Sequence, residues 1–412
     1  MRVRGHAEAV LGERFVSRLE ELLVRLSPLM KIAGITRLAN ITGLDQIGIP
    51  VALAVRPLSR SLSVSQGKGV TLHAAKISAV MESLEQFFAE HIDVPLTLSS
   101  ARDLCRTRRV VDIESLPHTR RPFDATVKIP WIAARNVASG ELVEVPFELV
   151  HLDFTAPAPE WSGYFLASSN GLASGSTEAE AIAHGVCELI ERDALALFYE
   201  LGPERQAERR VALGSVDDPC CRSLIQKFER AGVGVAVWDM TTDVGIAAFL
   251  CSVGEREVDP LRRIGTARGY GCHPERAVAL RRALTEAAQS RLTRIAGSRD
   301  DLQPGDVEAI RAVESIEHQR AHLAQESLAV HRFADVPSVD CASAEEVLGL
   351  ARECLAAAGM PEVLAVRLAP EDCSIAVTRV IVPGLEGFPD SPSYVPGRRV
   401  RALETPTARR TG

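Results

Sequence analysis

The sequence predicts an α+β fold in which amphipathic helices pack on mixed sheets. The first observation is a set of segments whose apolar residues recur at the spacing of a helix: 1–30, 71–91, 177–199 and 275–296. The second is a set of short apolar runs typical of strands: 32–41, 48–55, 142–150, 233–238, 246–253, 363–368 and 375–382. Elements of both kinds recur along most of the chain, so we expect one mixed unit rather than an all-α or all-β domain.

Local signals place the ends of several elements. The first helix carries its apolar stripe from Phe15 to Leu26, and the second carries one from Ile77 to Phe88. Thr177 followed by Glu180 fits a capping box at the start of the third helix. The turn at 241–243 separates two apolar runs, which predicts a hairpin. From residue 389 onward Pro, Gly, Arg and Thr dominate, so we expect a poorly packed tail.

Composition excludes several classes of protein. The chain has 412 residues, of which 46% are hydrophobic, and a net charge of 47 − 54 = −7 argues against nucleic-acid binding through a broad basic surface. No apolar run approaches the roughly 18 residues of a membrane span, and Glu8, Glu13 and Arg14 interrupt any signal-peptide core. The nine cysteines form no CxxC pair, so neither a disulfide framework nor a zinc site is indicated. We expect a reduced, cytoplasmic protein.

Glycine-rich segments precede three of the helices, at 63–69, 170–175 and 269–274, and we interpret each as a turn. A helix that begins after such a turn offers free N–H groups to an anion. Lys68 lies between two glycines and is one of only five lysines among 47 basic residues. The segment lacks the spacing of a Walker A motif, and a flexible exposed turn is the competing interpretation.

The same three helices each carry two polar groups three residues apart, which lie on one face of a helix. They are Glu82 with Glu85, Glu188 with Glu191, and Glu286 with Gln289. Such pairs are also commonplace on solvated helix faces. Here they stand among apolar residues, and buried carboxylates need a neutralising partner. A hard cation such as Mg²⁺ prefers carboxylate and phosphate oxygens, so the pattern favours a metal–nucleotide site.

Taken in order, these segments resemble the YcaO family of ATP-dependent enzymes that modify peptide backbones. The stretches that carry the resemblance are GITR (34–37), TGLD (42–45), IGIPV (47–51), RSLSVSQGKG (60–69), NGLASG (170–175), CELIERDA (187–194), GCHP (271–274), LTEAAQSR (284–291) and VPGLEG (382–387). They span residues 33–388, which the resemblance makes the catalytic domain. Residues 1–32 are then a helical extension and 389–412 the tail.

The resemblance implies a YcaO-type fold around a Mg–ATP site and an activity in which ATP activates a peptide amide. A nucleophile adds to the carbonyl, the oxyanion takes the γ-phosphoryl group, and phosphate leaves. The implied magnesium ligands are Glu82, Glu85, Glu188, Glu191 and Glu286. The implied ATP contacts are Ser63, Lys68, Glu82, Glu188, Arg192, Gln289 and Arg291. No residue is assigned a catalytic role, and Arg291 could serve packing instead because it lies on another side of its helix.

The subtype is also an implication of the resemblance. Members that form azoline rings typically end in Pro-x-Pro-x-Pro, whereas this sequence ends TPTARRTG. GCHP (271–274) and YVPG (394–397) look more like members that form thioamides beside a TfuA-type partner with a sulfide donor. We therefore expect thioamide formation on a peptide or protein substrate, with an azoline-forming cyclodehydratase and a non-catalytic scaffold as alternatives. A separate protein or the N-terminal helix would deliver the substrate, and a homodimer is one candidate assembly.

Overall fold

The computed structural model describes residues 13–257, 264–299, 323 and 330–404. None of the helices in these ranges is long and apolar enough to cross a bilayer. In chain order the helices are α1 (Glu13–Ile32), α2 (Leu72–Glu90), α3 (Ala101–Leu104), α4 (Glu178–Tyr199), α5 (Pro203–Glu208), α6 (Pro219–Arg230), α7 (Arg276–Ala296), α8 (Ala344–Ala357) and α9 (Arg398–Glu404). The predicted helices 71–91, 177–199 and 275–296 are confirmed, while residues 1–12 of the predicted first helix lie outside the described residues.

The strands occupy most of the predicted apolar runs. In chain order they are β1 (Arg37–Asn40), β2 (Val51–Val55), β3 (Val64–Lys68), β4 (Thr97–Ser100), β5 (Lys128–Asn136), β6 (Leu142–Pro146), β7 (Leu172–Gly175), β8 (Val233–Asp239), β9 (Ala248–Glu255), β10 (Ala267–Cys272), β11 (Leu364–Arg367) and β12 (Ala376–Ile381). The run predicted at 142–150 ends as a strand at Pro146, where a short 3-10 turn begins. Helices and sheets both occur along the described chain, which confirms the α+β prediction.

The chain divides into two compact units. Unit 1 comprises the described residues of Met1–Phe87, Ala207–Asp239 and Ala247–Asp340. Its two antiparallel sheets have the strand orders β1-β2-β3 and β10-β9-β8. Helix α7 packs against β10 and β9 and also touches β2 and β3, so one helix serves both sheets of this unit.

The core of unit 1 lies between helices α6 and α7 and the sheet β10-β9-β8. Phe228, Phe249 and Phe333 are fully buried there, and the rings of Phe249 and Phe333 stack with centroids 6.0 Å apart. Burying side chains of this size contributes on the order of 2–3 kcal/mol each. The core therefore fixes the position of α7, which carries one of the predicted polar pairs.

Unit 2 comprises the described residues of Phe88–Gln206, Met240–Ile246 and Cys341–Gly412. Its sheet has the order β4-β5-β11-β12-β7, and β6 also pairs with β5. Helix α4 packs on β7 and β12 on one side and on α8 on another. Thr177 caps α4 by accepting a hydrogen bond from the amide of Glu180 at 3.1 Å, which confirms half of the predicted capping box.

The three glycine-rich segments are strands, so their interpretation as turns was wrong. They form β3, β7 and β10, and each strand lies against the helix that follows it. A Cβ at Gly67 would lie 2.0 Å from the amide nitrogen of Ala79 in α2, and one at Gly269 would lie 2.2 Å from that of Ala287 in α7. In unit 2 a Cβ at Gly175 would lie 2.7 Å from the amide nitrogen of Ala181 in α4. These glycines therefore allow a helix backbone to contact a strand directly.

The described part of the predicted loose tail is held by specific contacts, although Val400 alone is buried among residues 389–403. Val400 is fully buried, and α9 forms from residue 398. The carboxylate of Glu386 accepts hydrogen bonds from the amides of Gly397, Arg399 and Val400 at 2.6–3.0 Å. A carboxylate at the start of a helix satisfies amides that have no partner within the helix. Residues 405–412 lie outside the described residues.

The glycine contacts yield a stability prediction. Replacing Gly269 by Ala must push β10 away from α7, because the new Cβ meets backbone atoms that cannot move alone. We expect the free energy of unfolding to fall by about 3 kcal/mol or more. Gly349, inside α8, is the matched control: a Cβ added there would have no neighbouring atom within 4 Å, so its replacement by Ala should raise stability by about 0.5–1 kcal/mol. Equal effects in urea denaturation would contradict the role of Gly269.

A second prediction concerns pH. Glu148 is buried, accepts hydrogen bonds from the amides of Gly163, Tyr164 and Phe165, and has a pKa raised by burial above its ordinary value. The unfolded chain therefore ionises this group at lower pH than the folded chain does, so its contribution to stability falls as pH rises between the two pKa values. Relative to Glu148→Gln, which does not ionise, the wild type should lose stability between about pH 4 and about pH 7. A difference in unfolding free energy that is the same at both pH values would contradict this account.

Candidate functional site

In unit 1, a lysine and a glutamate that were both predicted as site residues are in contact. The ammonium of Lys68, on β3, contacts the carboxylate of Glu286, on α7. The other carboxylate oxygen of Glu286 accepts a hydrogen bond from the amide of Tyr270 at 3.3 Å. The side chains of Lys68 and Glu286 are 25% and 19% exposed, so solvent and ligands still reach them. The pair thus combines a cation suited to phosphate with an oxygen ligand suited to Mg²⁺.

A polar ladder beside this pair ties β3 to α7. Gln289 donates from its side-chain amide to the backbone carbonyl of Gln66 at 2.7 Å. The buried side chain of Gln66 accepts from Thr293 and donates to Ser298 at 3.0 Å. Residues 66 and 68 project from the same face of the strand because side chains alternate. The observed role of Gln289 is therefore to fix β3 on α7, and its predicted contact with ATP stays a prediction.

Arg291 lies in a different environment. Its side chain is 1% exposed and forms ion pairs with Asp45 at 2.8 Å and with Glu255 at 2.9 Å. A buried guanidinium needs such partners because unpaired buried charge is costly. This geometry favours the packing role that the sequence left open over a contact with ATP.

The remaining predicted residues of unit 1 lie at two further positions. Glu82 and Glu85 are half-buried on α2, and they share one face of that helix. Ser63 is half-buried directly before β3. Their exposure is compatible with binding of a ligand, and their predicted roles stay predictions.

Unit 2 gathers the second acidic pair around one arginine. The guanidinium of Arg192 lies 3.6 Å from the carboxylate of Glu188 and 3.3 Å from that of Glu191, all on α4. Glu191 is buried, whereas the side chain of Glu188 is 29% exposed. The amide of Gly171 donates to Glu188 at 3.1 Å. One cation thus neutralises two carboxylates that would otherwise repel each other across a helical turn.

The backbone that presents Gly171 is itself held in place. Arg379, on β12 and 1% exposed, donates to the carbonyls of Ser168 and Asn170 at 2.9 and 2.8 Å and to that of Val150 at 3.1 Å. Gly171 has a φ of 76°, a backbone conformation that residues other than glycine rarely adopt. Its carbonyl accepts from the amide of Val380 at 2.7 Å. These contacts fix the direction from which the Gly171 amide meets Glu188.

The chemistry of these residues fits Mg²⁺ with a polyphosphate. Among the described residues, no three His, Cys, Asp or Glu side chains lie close enough to hold a metal ion. Glu286 instead stands singly beside Lys68, and Glu188 and Glu191 stand as a pair beside Arg192. Mg²⁺ keeps several ligands from water or substrate phosphates and takes only one or two from protein carboxylates. Sparse carboxylates beside Lys68 and Arg192 therefore suit a metal that arrives with phosphate oxygens.

Several residues that hold the polar groups within each unit were not predicted from the sequence. Gln66 was read as part of a turn, although its alternation with Lys68 is the signal of a strand. The local sequence gave no reason to single out three further residues, because their partners are distant in sequence: Arg379, Asp193 and Phe388. Asp193 is fully buried and pairs with Arg399 at 2.9 Å, and Phe388 lies against Arg192.

Comparison with known proteins identifies the family to which this chain belongs. A family model described as YcaO cyclodehydratase, ATP- and Mg²⁺-binding, matches residues 66–386. This match covers most of the chain, and the chain belongs to the YcaO family. Members of this family are ATP-dependent peptide-modifying enzymes. ATP and Mg²⁺ are accordingly its cofactors, as the sequence predicted.

Two relatives match this chain over most of its length. An uncharacterized protein in the tfuA 3′ region of Rhizobium leguminosarum bv. trifolii is 37% identical over 371 residues, which are 88% of this chain and 86% of the relative. An uncharacterized protein of Methanothermobacter thermautotrophicus is 34% identical over 390 residues, which are 93% of this chain and 98% of the relative.

Solved structures confirm the fold. A YcaO protein from Methanopyrus kandleri bound with AMPPCP and Mg²⁺ matches with a TM-score of 0.70 and 22% identity, covering 92% of this chain and 94% of that one. A heterocyclase in complex with substrate and cofactor matches with a TM-score of 0.69 and 22% identity. This match covers 86% of this chain but only 50% of the heterocyclase. The Escherichia coli microcin synthetase McbBCD complex matches with a TM-score of 0.59 and 16% identity, over 84% of this chain and 87% of that one.

The environment of Arg291 gives a prediction that separates packing from ATP binding. Arg291→Met leaves Asp45 as a buried charge without its main partner. We expect the free energy of unfolding to fall by about 3 kcal/mol or more, while the folded variant keeps wild-type affinity for ATP. Urea denaturation and calorimetric titration measure the two effects. Unchanged stability together with lost ATP binding would instead restore the nucleotide role.

Proposed function

We propose that this protein catalyses ATP- and Mg²⁺-dependent formation of a thioamide on a peptide or protein backbone, together with a TfuA-type partner and a sulfide donor. The observation that supports this choice is the near full-length relative described by its position in the tfuA 3′ region. Sequence features at GCHP (271–274) and YVPG (394–397) agree with it.

We assign the magnesium ions to carboxylates on three helices. The proposed ligands are Glu82, Glu85 and Glu286 in unit 1 and Glu188 and Glu191 in unit 2. Bound ATP with Mg²⁺ supplies a phosphoryl group that turns an amide oxygen into a leaving group. The residues of this chain bind and orient the nucleotide, because phosphoryl transfer depends mainly on positioning and charge neutralisation.

We propose two successive roles for Lys68 and Arg192. Before the nucleotide binds, each neutralises nearby carboxylates, as the contacts with Glu286, Glu188 and Glu191 indicate. With Mg²⁺ bound, Glu286, Glu188 and Glu191 would hold the metal, and Lys68 and Arg192 would be available to phosphate oxygens. We also propose that Ser63, directly before β3, adds a hydroxyl contact to the nucleotide.

An azoline-forming cyclodehydratase is the second candidate. The family model carries that description, and the matched solved structures include a heterocyclase. The two reactions share amide activation and differ in the nucleophile, which is a Cys, Ser or Thr side chain of the substrate in one case and external sulfide in the other.

The product distinguishes the two candidates. The purified protein would be incubated with the TfuA-type protein and the short peptides encoded near its gene, with ATP, Mg²⁺ and sulfide, and the peptides analysed by mass spectrometry. We expect exchange of one oxygen for sulfur, coupled to release of ADP and phosphate and absent without sulfide. Loss of water that is independent of sulfide would overturn the thioamide proposal in favour of an azoline.

The metal–nucleotide assignment predicts a loss of binding in a specific pair of variants. Glu188→Gln combined with Glu191→Gln removes two carboxylates while preserving side-chain shape. We expect calorimetry to show affinity for ATP with Mg²⁺ reduced at least about tenfold, which corresponds to about 1.4 kcal/mol. Glu204→Gln, on the exposed face of α5, is the control and should bind as the wild type does. Wild-type binding by the double variant would remove α4 from the site.

A further inference from the structure

Phe388, in the segment that follows β12, lies over the side chain of Arg192. The Cζ atom of Arg192 is 4.8 Å from the centroid of the Phe388 ring. The side chain of Arg192 is 14% exposed, so the ring is a substantial part of its cover. A guanidinium over an aromatic face is attracted to the ring without using an N–H donor on it. The contact therefore constrains Arg192 and leaves its donors for carboxylate or phosphate oxygens.

The segment that carries Phe388 is anchored on both sides of the ring. Before it, the amide of Glu386 donates to the buried carboxylate of Asp193 at 3.0 Å, one residue after Arg192. After it, Asp390 accepts a hydrogen bond from the hydroxyl of Tyr199, near the end of α4, at 3.4 Å. These contacts run along α4, so the ring cannot move far from Arg192 unless the segment detaches.

The start of the C-terminal helix α9 is bound to the same segment through Glu386. Besides its three backbone donors, the carboxylate of Glu386 accepts a hydrogen bond from the hydroxyl of Tyr394 at 2.9 Å. Arg399 joins the same arrangement by pairing with Asp193 and with Asp243. A Cβ at Gly397 would lie 2.7 Å from the Glu386 carboxylate, so a side chain there would displace that carboxylate. Residues 386–400 thus form a closed loop of contacts that holds Phe388 over Arg192.

We infer that Phe388 is a positioning residue for the nucleotide: its ring face holds Arg192 so that the guanidinium donors point to the Glu188–Glu191 pair and to a phosphate. This inference rests on the proposed role of α4 in binding Mg–ATP. A contact through the ring face differs physically from simple apolar cover, because an aliphatic side chain of similar bulk covers the guanidinium but lacks the electron-rich face.

Substitutions at 388 separate these two effects. Phe388→Tyr keeps the ring face, Phe388→Leu keeps apolar bulk alone, and Phe388→Ala removes both. Calorimetric titration of ATP with Mg²⁺ into the full chain should give wild-type affinity for the Tyr variant. The Leu and Ala variants should bind about 3- to 30-fold more weakly, the range of cation–π energies. Phe154→Ala removes an exposed aromatic ring of the same unit and should change nothing.

A double-mutant cycle tests whether Phe388 acts through Arg192. In an Arg192→Gln background, Phe388→Leu should cause no further loss of ATP affinity, because the cation it orients is gone. Equal losses in both backgrounds would mean that Phe388 only supports the fold, and this would overturn the inference. Wild-type affinity in the Leu variant would overturn it as well.

The outcomes also distinguish this inference from the function on which it rests. Binding that is lost in the Glu188 and Glu191 variants but kept in Phe388→Leu leaves the proposed function standing and refutes only the role of Phe388. Absence of ATP binding by the wild type refutes both. Circular dichroism and urea denaturation of each variant confirm that affinities are compared between folded proteins.

Discussion

Direct contact between glycine strands and alanine-bearing helices is the constraint on which the rest of this structure depends. On α7 the partners of Gly269 and Gly271 are Ala279, Ala283 and Ala287, which recur every four residues along one face of the helix. Similar contacts join β3 to α2 and β7 to α4. With no side chains between backbones, each helix has little freedom to rotate or slide on its strand. The polar groups on those helices consequently stand at fixed positions, which phosphoryl transfer requires.

Charge neutralisation is the second level of organisation. Glu286 contacts Lys68, and Glu188 and Glu191 share Arg192, so these three carboxylates each have a basic side chain nearby. In the proposed function these contacts neutralise the carboxylates before the nucleotide binds, and the same basic side chains would contact phosphate afterwards. Within each unit further residues hold the backbone nearby: Gln66 bonds to α7 in unit 1, and Arg379 holds residues 168–170 in unit 2. We therefore propose that Mg–ATP would bind by rearranging these ion pairs, since no three potential metal ligands cluster among the described residues.

The sequence predicted what depends on local pattern and missed what depends on distant contacts. Periodicity placed α2 and α7 within about one residue at each end, and spacing identified the carboxylate pairs. Glycine content led to the interpretation of β3 as a turn, because a local pattern does not reveal that a helix approaches the strand closely. The order of the C-terminal segment arises from Glu386, which binds amides ten or more residues later. Composition alone therefore predicted a loose tail.

The central claim is that carboxylates and phosphates are brought together only by the metal, and the coupling between Mg²⁺ and ATP tests it most directly. Calorimetry would measure the affinity of the wild type for ATP with a chelator present, for Mg²⁺ alone, and for both together. We predict weak binding of each alone and much tighter binding together, because the carboxylates proposed to bind the metal would repel the phosphates of metal-free ATP. Equally tight binding of ATP with and without Mg²⁺ would contradict it.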